Sequence, residues 1–558
     1  MSEESHAPYL HYISLGGNGE VTKNMHVFET NDDIVVFDAG IGFPQADQLG
    51  VDVVIPDVSY LVERRSKVRA IVISHAHEDH IGALPYIVKE MTNIPIYAAK
   101  LPRGFIQAKL TEKNLLKGQP IHLIEPEKGP FKVGQFEIFP YRVNHSVPDP
   151  LGFFIKTPVG NMVFSPDFKF DWTPVDGKLF EVGKLAALAQ QGVLALFSDS
   201  LGVNREGYTE SEQMIQKAFE REMQDARGQV FITTMSSNIS RMQQAINASV
   251  KYGRKVVPAG RSIDQNIQTA INLGYLKAPD GVVIPMDKAR RLPHHKKTYI
   301  IAGSFGQQGS ALDRLSRGEH RSIELKEGAV VVFSADPIPG IADQVGGVID
   351  RLIELGTQVV YSDIQDDLHV SGHGSKGDIS MMIGLTRPEF FVPIGGTARH
   401  HRGYRNLVEE MGFDPKTVFE LNGNETVMFG VHSAKPGPNV ELKDVFVDGS
   451  LVGDVGKIIL EDRKQLSQDG VFVVIVRKEQ NGKLSQYVDV VSRGFVFQGE
   501  AGDVTKKARQ LAGKTVGGTN ISEWNKTREK LSEKLRGLFY SKTKREPLIV
   551  PVVIDIRN

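Results

Sequence analysis

The chain has 558 residues, a formal net charge of −1, 41% hydrophobic and 24% charged residues, and no cysteine. That length exceeds a single core, so about two to four domains are expected. The near-neutral charge excludes a uniformly basic nucleic-acid binder and leaves a local basic groove open. Without cysteine, disulfides and thiolate metal sites are excluded, which fits a reducing, cytoplasmic compartment, and any zinc must be held by His, Asp or Glu. The opening MSEESHAPYL has neither a charged nor an apolar signal region, and apolar runs such as LIVPVVI are too short to span a bilayer, so no membrane association is expected.

His11 to Leu15 reads as a strand entering the turn Gly16-Gly17-Asn18-Gly19-Glu20, with Asn24 to Glu29 as its return; alone, this is an ordinary hairpin. Ile34 to Phe37 is a buried strand ending at Asp38, a residue that turn capping alone accounts for. Ile71-Val72-Ile73 has the profile of a strand buried on both faces. It runs into His75-Ala76-His77-Glu78-Asp79-His80, three imidazoles within six residues. Imidazole nitrogen and carboxylate oxygen are donors that zinc takes. His75 and His77 point the same way from an extended segment, while Asp79 and His80 follow as the chain turns and face a neighbouring position. Donors packed so closely repel one another unless a cation holds them, so this stretch reads as a metal site.

Strands and helices continue to alternate: Ile96 to Ala98, a helix from Phe105 to Lys117, then strands Ile121 to Ile124 and Phe136 to Arg142, the last delivering His145. A hairpin of Phe153 to Lys156 and Met162 to Phe164 delivers Asp167. Each candidate ligand thus sits just beyond a strand end, where a sandwich of sheets presents a site along one edge. Past Gly207 the pattern is β-α-β: helices over Glu210–Gln224, Arg241–Tyr252 and Asp264–Leu273, with strands over Gln229–Thr234, Lys255–Pro258 and Thr298–Ala302. This predicts an inserted doubly wound domain. Its strands lead into the turns Ser236-Ser237-Asn238, Gly260-Arg261-Ser262 and Gly303-Ser304. Helix capping accounts for any one of them. Three in succession, with Arg241 and Arg261 nearby, suit a phosphate-binding rim.

Ala329 to Ser334 and Gln358 to Tyr361 lead to His369-Val370-Ser371-Gly372-His373, and Phe390 to Ile394 resumes the first domain. Lys435 to Asn439 is a linker by composition. Beyond it the sequence predicts strands near Val445, Ile458, Val471–Val476, Tyr487–Val491 and Leu548–Ile556, and helices over Val504–Leu511 and Ser522–Tyr540. Lysines and arginines of the last helix are interleaved with glutamates, as on a solvated face. The expected domains are 1–206 with 366–434, an insertion at 207–365, a linker at 435–445 and a C-terminal α/β domain at 446–558.

The pattern His75-x-His77-x-Asp79-His80 is the signature of the metallo-β-lactamase superfamily. With Asn144-His145, Ser165-Pro166-Asp167-Phe168-Lys169-Phe170-Asp171, Ser198-Asp199-Ser200 and Val370-Ser371-Gly372-His373-Gly374, nearly the whole chain resembles the ribonuclease J family of bacterial β-CASP nucleases. The resemblance implies an α/β architecture: a metallo-β-lactamase αββα sandwich, an inserted doubly wound β-CASP domain and a small C-terminal α/β domain. It implies a zinc-dependent ribonuclease acting on single-stranded RNA from a 5′-monophosphate end, with endonuclease action besides, in mRNA decay and rRNA maturation. One metal falls to His75, His77 and His145 and a second to Asp79 and His80, with Asp167 bridging and Asp38 orienting the histidine loop. Asp79, Asp199 and His373 become the catalytic group. His369, Ser371, Gly372 and His373 grip phosphate, and Ser237, Asn238, Arg241, Arg261, Ser262 and Ser304 line an RNA channel. Implied partners are single-stranded RNA, further copies of the chain in a homodimer or homotetramer assembled through the C-terminal module, and RNA-decay proteins.

The family's Pro-x-His-Gly motif supplies a further metal-binding histidine, and here the text is Pro393-Ile394-Gly395-Gly396. Glycine cannot ligate through a side chain, so the second of two expected zinc ions is short of a donor unless His400 or His401 replaces it. Weaker binding there, or a preference for Mn or Mg, follows. A catalytically impaired paralogue that scaffolds RNA or a partner nuclease is the alternative.

Overall fold

In the computed structural model, residues 7–45, 47–304, 306–335, 342–362, 364–365, 368–449, 451–453, 456–495 and 501–555 are described. The chain forms two compact units, Met1–Gly42 with Ile55–Asp444, and Phe43–Val54 with Val445–Asn558.

The first unit holds the sandwich. An eight-stranded sheet runs, edge to edge, through Ser433–Pro436, Thr426–Gly430, Leu10–Gly16, Met25–Glu29, Ile34–Phe37, Val68–Val72, Ile96–Ala98 and Ile121–Leu123. Opposite it lies a six-stranded sheet of Phe390–Ile394, Ala195–Asp199, Gly160–Ser165, Leu151–Thr157, Phe136–Arg142 and Phe131–Val133. Their facing side chains, among them Tyr12, Phe28, Phe37, Phe153, Phe164 and Phe197, form one buried core. Helices Val182–Ala189, Lys376–Thr386 and Ala398–Glu410 contribute to a second core outside the six-stranded sheet, with Leu185, Ile383 and Tyr404. The αββα layering is therefore as expected.

The insertion is a five-stranded parallel sheet in the order Lys255–Ala259, Lys297–Ile301, Val230–Thr233, Val330–Phe333, Gln358–Val360. Strand order reverses around Val230–Thr233, the first of these strands in the chain, and ligands collect at the carboxyl ends of strands at such a switch point. Thr234 and Met235 after that strand, and Ser334 and Ala335 after its neighbour, line the cleft against the sandwich. Beneath this junction lies a buried ionic cluster. The Arg241 guanidinium donates to Glu212 Oε2 at 2.8 Å and to the Ser334 carbonyl at 2.9 Å. Lys169 Nζ stands 3.7 Å from Glu212 and 3.8 Å from Asp171. Arg241 and Lys169 are fully buried. A charge taken this far from water persists only when paired, so Arg241 holds Glu212, which Lys169 of the sandwich also meets, and does not line an RNA channel.

Element ends shift from the sequence reading in instructive ways. The helix expected at Phe105 starts at Lys100, because Pro102 stands in its first turn, where no helical N–H is lost. The strand expected near Ile458 is instead a helix, Lys457–Asp469, closed by Gly470 at φ +74°; its apolar start imitates a strand, while EDRKQ favours helix. The expected linker begins inside a strand, since Ser433–Pro436 pairs with Thr426–Gly430.

The second unit contains a three-stranded sheet of Leu484–Arg493, Val471–Lys478 and Leu548–Asp555, with helices Ala501–Val516 and Trp524–Thr543 packed on it through Phe472, Val474, Leu531 and Phe539. Residues 43–54 belong here: Asp52 N–H donates to the Val447 carbonyl at 2.8 Å, and Val51 and Val54 pack on Phe446.

Candidate metal centre and nucleic acid cleft

The strand Val68–Val72 ends under the site, and the next residues are held by their own backbone. Gly40 lies so close to the turn that a Cβ there would stand 1.5 Å from the Asp79 carbonyl oxygen. Asp38, left-handed at φ +63° and fully buried, accepts Ser74 N–H at 2.7 Å and Ser74 Oγ–H at 2.7 Å. The same carboxylate lies 2.8 Å from His80 Nδ1. Its place is that of a residue fixing ring orientation, as outer carboxylates do for metal-binding imidazoles.

Proton positions follow from these partners. His145 Nδ1 faces the Gly372 carbonyl at 2.7 Å, an acceptor, so Nδ1 carries the proton and Nε2 is a bare lone pair. Ser74 Oγ gives its proton to Asp38 and takes one from His75 Nδ1 at 2.9 Å, which leaves His75 Nε2 bare as well. Both bare nitrogens converge on His77 Nδ1, at 3.1 Å and 3.0 Å. One proton cannot serve two such contacts, so lone pairs oppose each other unless a cation lies between them. Asp167 Oδ2 completes the cluster, 3.6 Å from His75 Nε2 and 3.4 Å from His145 Nε2, and these four residues converge as a metal-binding group. The donor set is the N₃O kind that zinc accepts.

Asp167 also faces the second position, 3.4 Å from His80 Nε2, and Asp79 lies 3.7 Å from that same nitrogen. Burial alone lowers a histidine's pKa, yet the carboxylates of Asp167, Asp38 and Asp79 hold His80 well above its ordinary value. Burial and the nearby Asp167 push the Asp79 carboxyl up to about 6, against the pull of His80. This corner is therefore rich in carboxylate and short of positive charge, as a cation site is.

Above the cluster opens a cleft of about 530 Å³ lined by both the sandwich and the insertion. His373 Nδ1 lies 2.7 Å from Asp199 Oδ2, and its Nε2 stands 4.0 Å from Asp167. Burial opposes protonation, but Asp199 and Asp167 outweigh it and push His373 up to about 9. Asp167, Asp199 and His373 also converge as a group of potential donors; the short His373–Asp199 contact shares a proton, which leaves no need for an ion there. Ser371 Oγ accepts from Arg205 at 2.8 Å, and a Cβ on Gly372 would stand 2.6 Å from His145 Cε1, so that loop must carry glycine. His369, Ser371, Gly372, His373 and Asn238 all line the cleft.

The rest of the expected rim divides. Ser237 and Ser304 are buried, Arg261 and Ser262 are exposed, and none of the four lines the cleft. Two arginines that sequence reading passed over do line it. Arg205 holds the Ser371 loop, and Arg399 is exposed and makes no ion pair among the described residues. Nothing local marks either of them, because the fold assembles that wall from segments far apart in sequence.

The metallo-beta-lactamase superfamily profile matches residues 18–217, the ribonuclease J beta-CASP domain profile 227–352, and the ribonuclease J C-terminal domain profile 458–556. Ribonuclease J2 of Bacillus subtilis strain 168 is 34% identical over 98% of both chains. Ribonuclease J of Thermus thermophilus is 38% identical over 98% of this chain and 95% of its own. The chain belongs to the ribonuclease J family. It is accordingly a metal-dependent hydrolase of the nuclease class. A crystal structure of a protein of unknown function from Enterococcus faecalis V583 shares the fold at TM-score 0.51 and 16% identity, over 75% of this chain and 100% of that one. In this chain the histidine-rich turn, His145, Asp167 and the Ser371–His373 loop all meet at one edge of the sandwich. No helix among the described residues is long and apolar enough to cross a membrane.

Proposed function

We propose that the chain hydrolyses single-stranded RNA, removing nucleotides from a 5′-monophosphate end and also cutting internally, with zinc as its metal, in cytoplasmic mRNA decay and rRNA maturation. The observation that carries this reading is the convergence of bare imidazole nitrogens on His77 at the floor of a cleft walled by the inserted domain. His75, His77, His145 and Asp167 would hold the first ion, and Asp79, His80 and Asp167 would contribute to the second. A divalent pair there would supply an activated water at neutral pH and positive charge against the phosphate. His373, kept protonated by Asp199, donates a hydrogen bond to the phosphate or a proton to the leaving oxygen. Arg205 fixes the loop carrying His373, and Arg399, without an ion pair among the described residues, offers a cation to the RNA backbone.

The C-terminal unit supports self-association into a homodimer or homotetramer. Its sheet leaves Tyr487 75% exposed and Val491 46% exposed, on a strand that has only one neighbour in the sheet. RNA-decay proteins are further expected partners. The test of the reading compares three forms of one RNA: 5′-monophosphorylated, 5′-triphosphorylated and circular. Fast mononucleotide release from the first, slow release from the second and internal cuts in the third support it. Equal rates on the two linear forms contradict the end preference, and RNA retained uncut in all three points to the scaffold reading.

A further inference from the structure

Position 395 lacks the imidazole expected at the second metal position, and the local structure leaves that space open. Gly395 is held at φ +63°, with its N–H donating to the Gly17 carbonyl at 2.8 Å, and Gly396 N–H donates to the Glu20 carbonyl at 3.0 Å. A Cβ at Gly395 meets only Asp199 Oδ1, at 3.7 Å. Of the two downstream histidines, His400 lines the cleft but is held by Nδ1 in a helix cap, where it accepts Thr397 N–H at 3.0 Å. His401 is buried beside Leu421 and Glu420 and does not line the cleft.

The hairpin under the gap offers other donors. The Asn24 amide lies 3.1 Å from His80 Nε2. Two donors that share an ion at about 2.1 Å stand roughly 3.0–3.4 Å apart, and a half-turn of the amide exchanges its nitrogen for its oxygen. Two residues further on, His26 is fully buried. Its Nδ1 lies 2.8 Å from the Tyr12 hydroxyl, while its Nε2 has no hydrogen-bond partner among the described residues. Buried polar atoms left unmatched in a folded protein mark a place for water or an ion.

His26 belongs to the hairpin that touches the second position through Asn24. The Gly17 Cβ direction meets His26 Cε1 at 3.1 Å and Asn24 Oδ1 at 2.4 Å, and Gly17 is the residue that receives the Gly395 N–H. The His26 ring packs edge-on to Phe164, on the strand leading to Asp167, with centroids 5.3 Å apart. Among charged groups, His80 and Asp167 act on the ring. The Tyr12 hydroxyl and His26 Nδ1 share one proton, and an ion at Nε2 would require Tyr12 oxygen to accept from Nδ1–H, the tautomer that metal-binding imidazoles adopt.

We propose that His26, with Asn24 beside it, supplies the donor that Gly395 cannot, so that the second ion is held from the hairpin below the site. The proposal rests on the two-ion reading of the cluster, and its test reads ions, not RNA cleavage. The full chain, stripped and then titrated with Zn²⁺ and, separately, Co²⁺, is followed by bound metal per chain and by the Co²⁺ absorption spectrum. The unmodified protein should bind two equivalents. His26→Leu should keep the first and bind the second at least tenfold more weakly, with the spectral component of the second ion altered. Adding Gly395→His to His26→Leu should restore it. Tyr12→Phe, which keeps the core shape, should weaken only the second ion, and it decides the matter if His26→Leu does not fold. Two unchanged equivalents in the variant that folds would make His26 a core histidine and overturn the proposal, as would a single equivalent in the unmodified chain. Two ions bound without RNA hydrolysis would overturn the nuclease reading and leave this proposal standing.

Discussion

Asp38 shows how much of this site depends on one side chain that meets no substrate. It accepts from Ser74 twice and fixes His80 through Nδ1, so a change there acts through ring orientation. Asp38→Asn should lower affinity for the second ion on the order of 10–100-fold, measured by competition with a chromophoric chelator, while the first ion is retained. Arg399 acts differently, since it faces the cleft with no ion partner among the described residues. Arg399→Ala should raise KM with little change in kcat, and should reduce the slope of log affinity against log salt by about 0.7, one phosphate contact on a single strand. At this scale the histidine-rich turn was legible, because imidazole and carboxylate at that spacing have few other uses. Arg241 was misread: its closeness to a phosphate-suited turn is visible in sequence, but its pairing with Glu212, 29 residues earlier, is not.

Strands and helices were legible wherever their partners are local or their faces uniformly apolar. Ile34–Phe37 and Val68–Val72 are buried along their lengths apart from Arg69, and the β-α-β rhythm of the insertion is plain from hydrophobic period alone. Segment 43–54 was not legible, since its ties to Val447 and Phe446 join residues roughly four hundred positions apart in sequence. The helix Lys457–Asp469 was misassigned because three apolar residues at its start outweighed the helix formers after them. The Lys169, Glu212 and Arg241 cluster joins sandwich to insertion, and its removal should be felt as stability. Arg241→Met leaves Glu212 without its closest partner in a dry setting, so a loss of about 3–5 kcal/mol is expected, read from denaturant unfolding. An unfolding curve unchanged from that of the parent would show that the cluster carries no such weight.

For the whole molecule, the metal-binding groups and the small exposed sheet fall in different units. Among the described residues, the metal-binding groups all lie in the first unit, whereas the second presents a small sheet with exposed Tyr487 and Val491. A chain ending at Asp444 should therefore have a smaller mass in solution and still bind metal. An intact oligomer with its metal lost would reverse the assignment. The central claim is metal-dependent hydrolysis of RNA at the His77 cluster. The most direct measurement follows 5′-monophosphorylated single-stranded RNA and bound zinc in the same samples, for the unmodified protein and for His77→Ala. Mononucleotide release that disappears with chelation, returns with added zinc and is absent in His77→Ala is the predicted result. Full zinc occupancy with the RNA bound but uncut, or equal hydrolysis by His77→Ala, would contradict it.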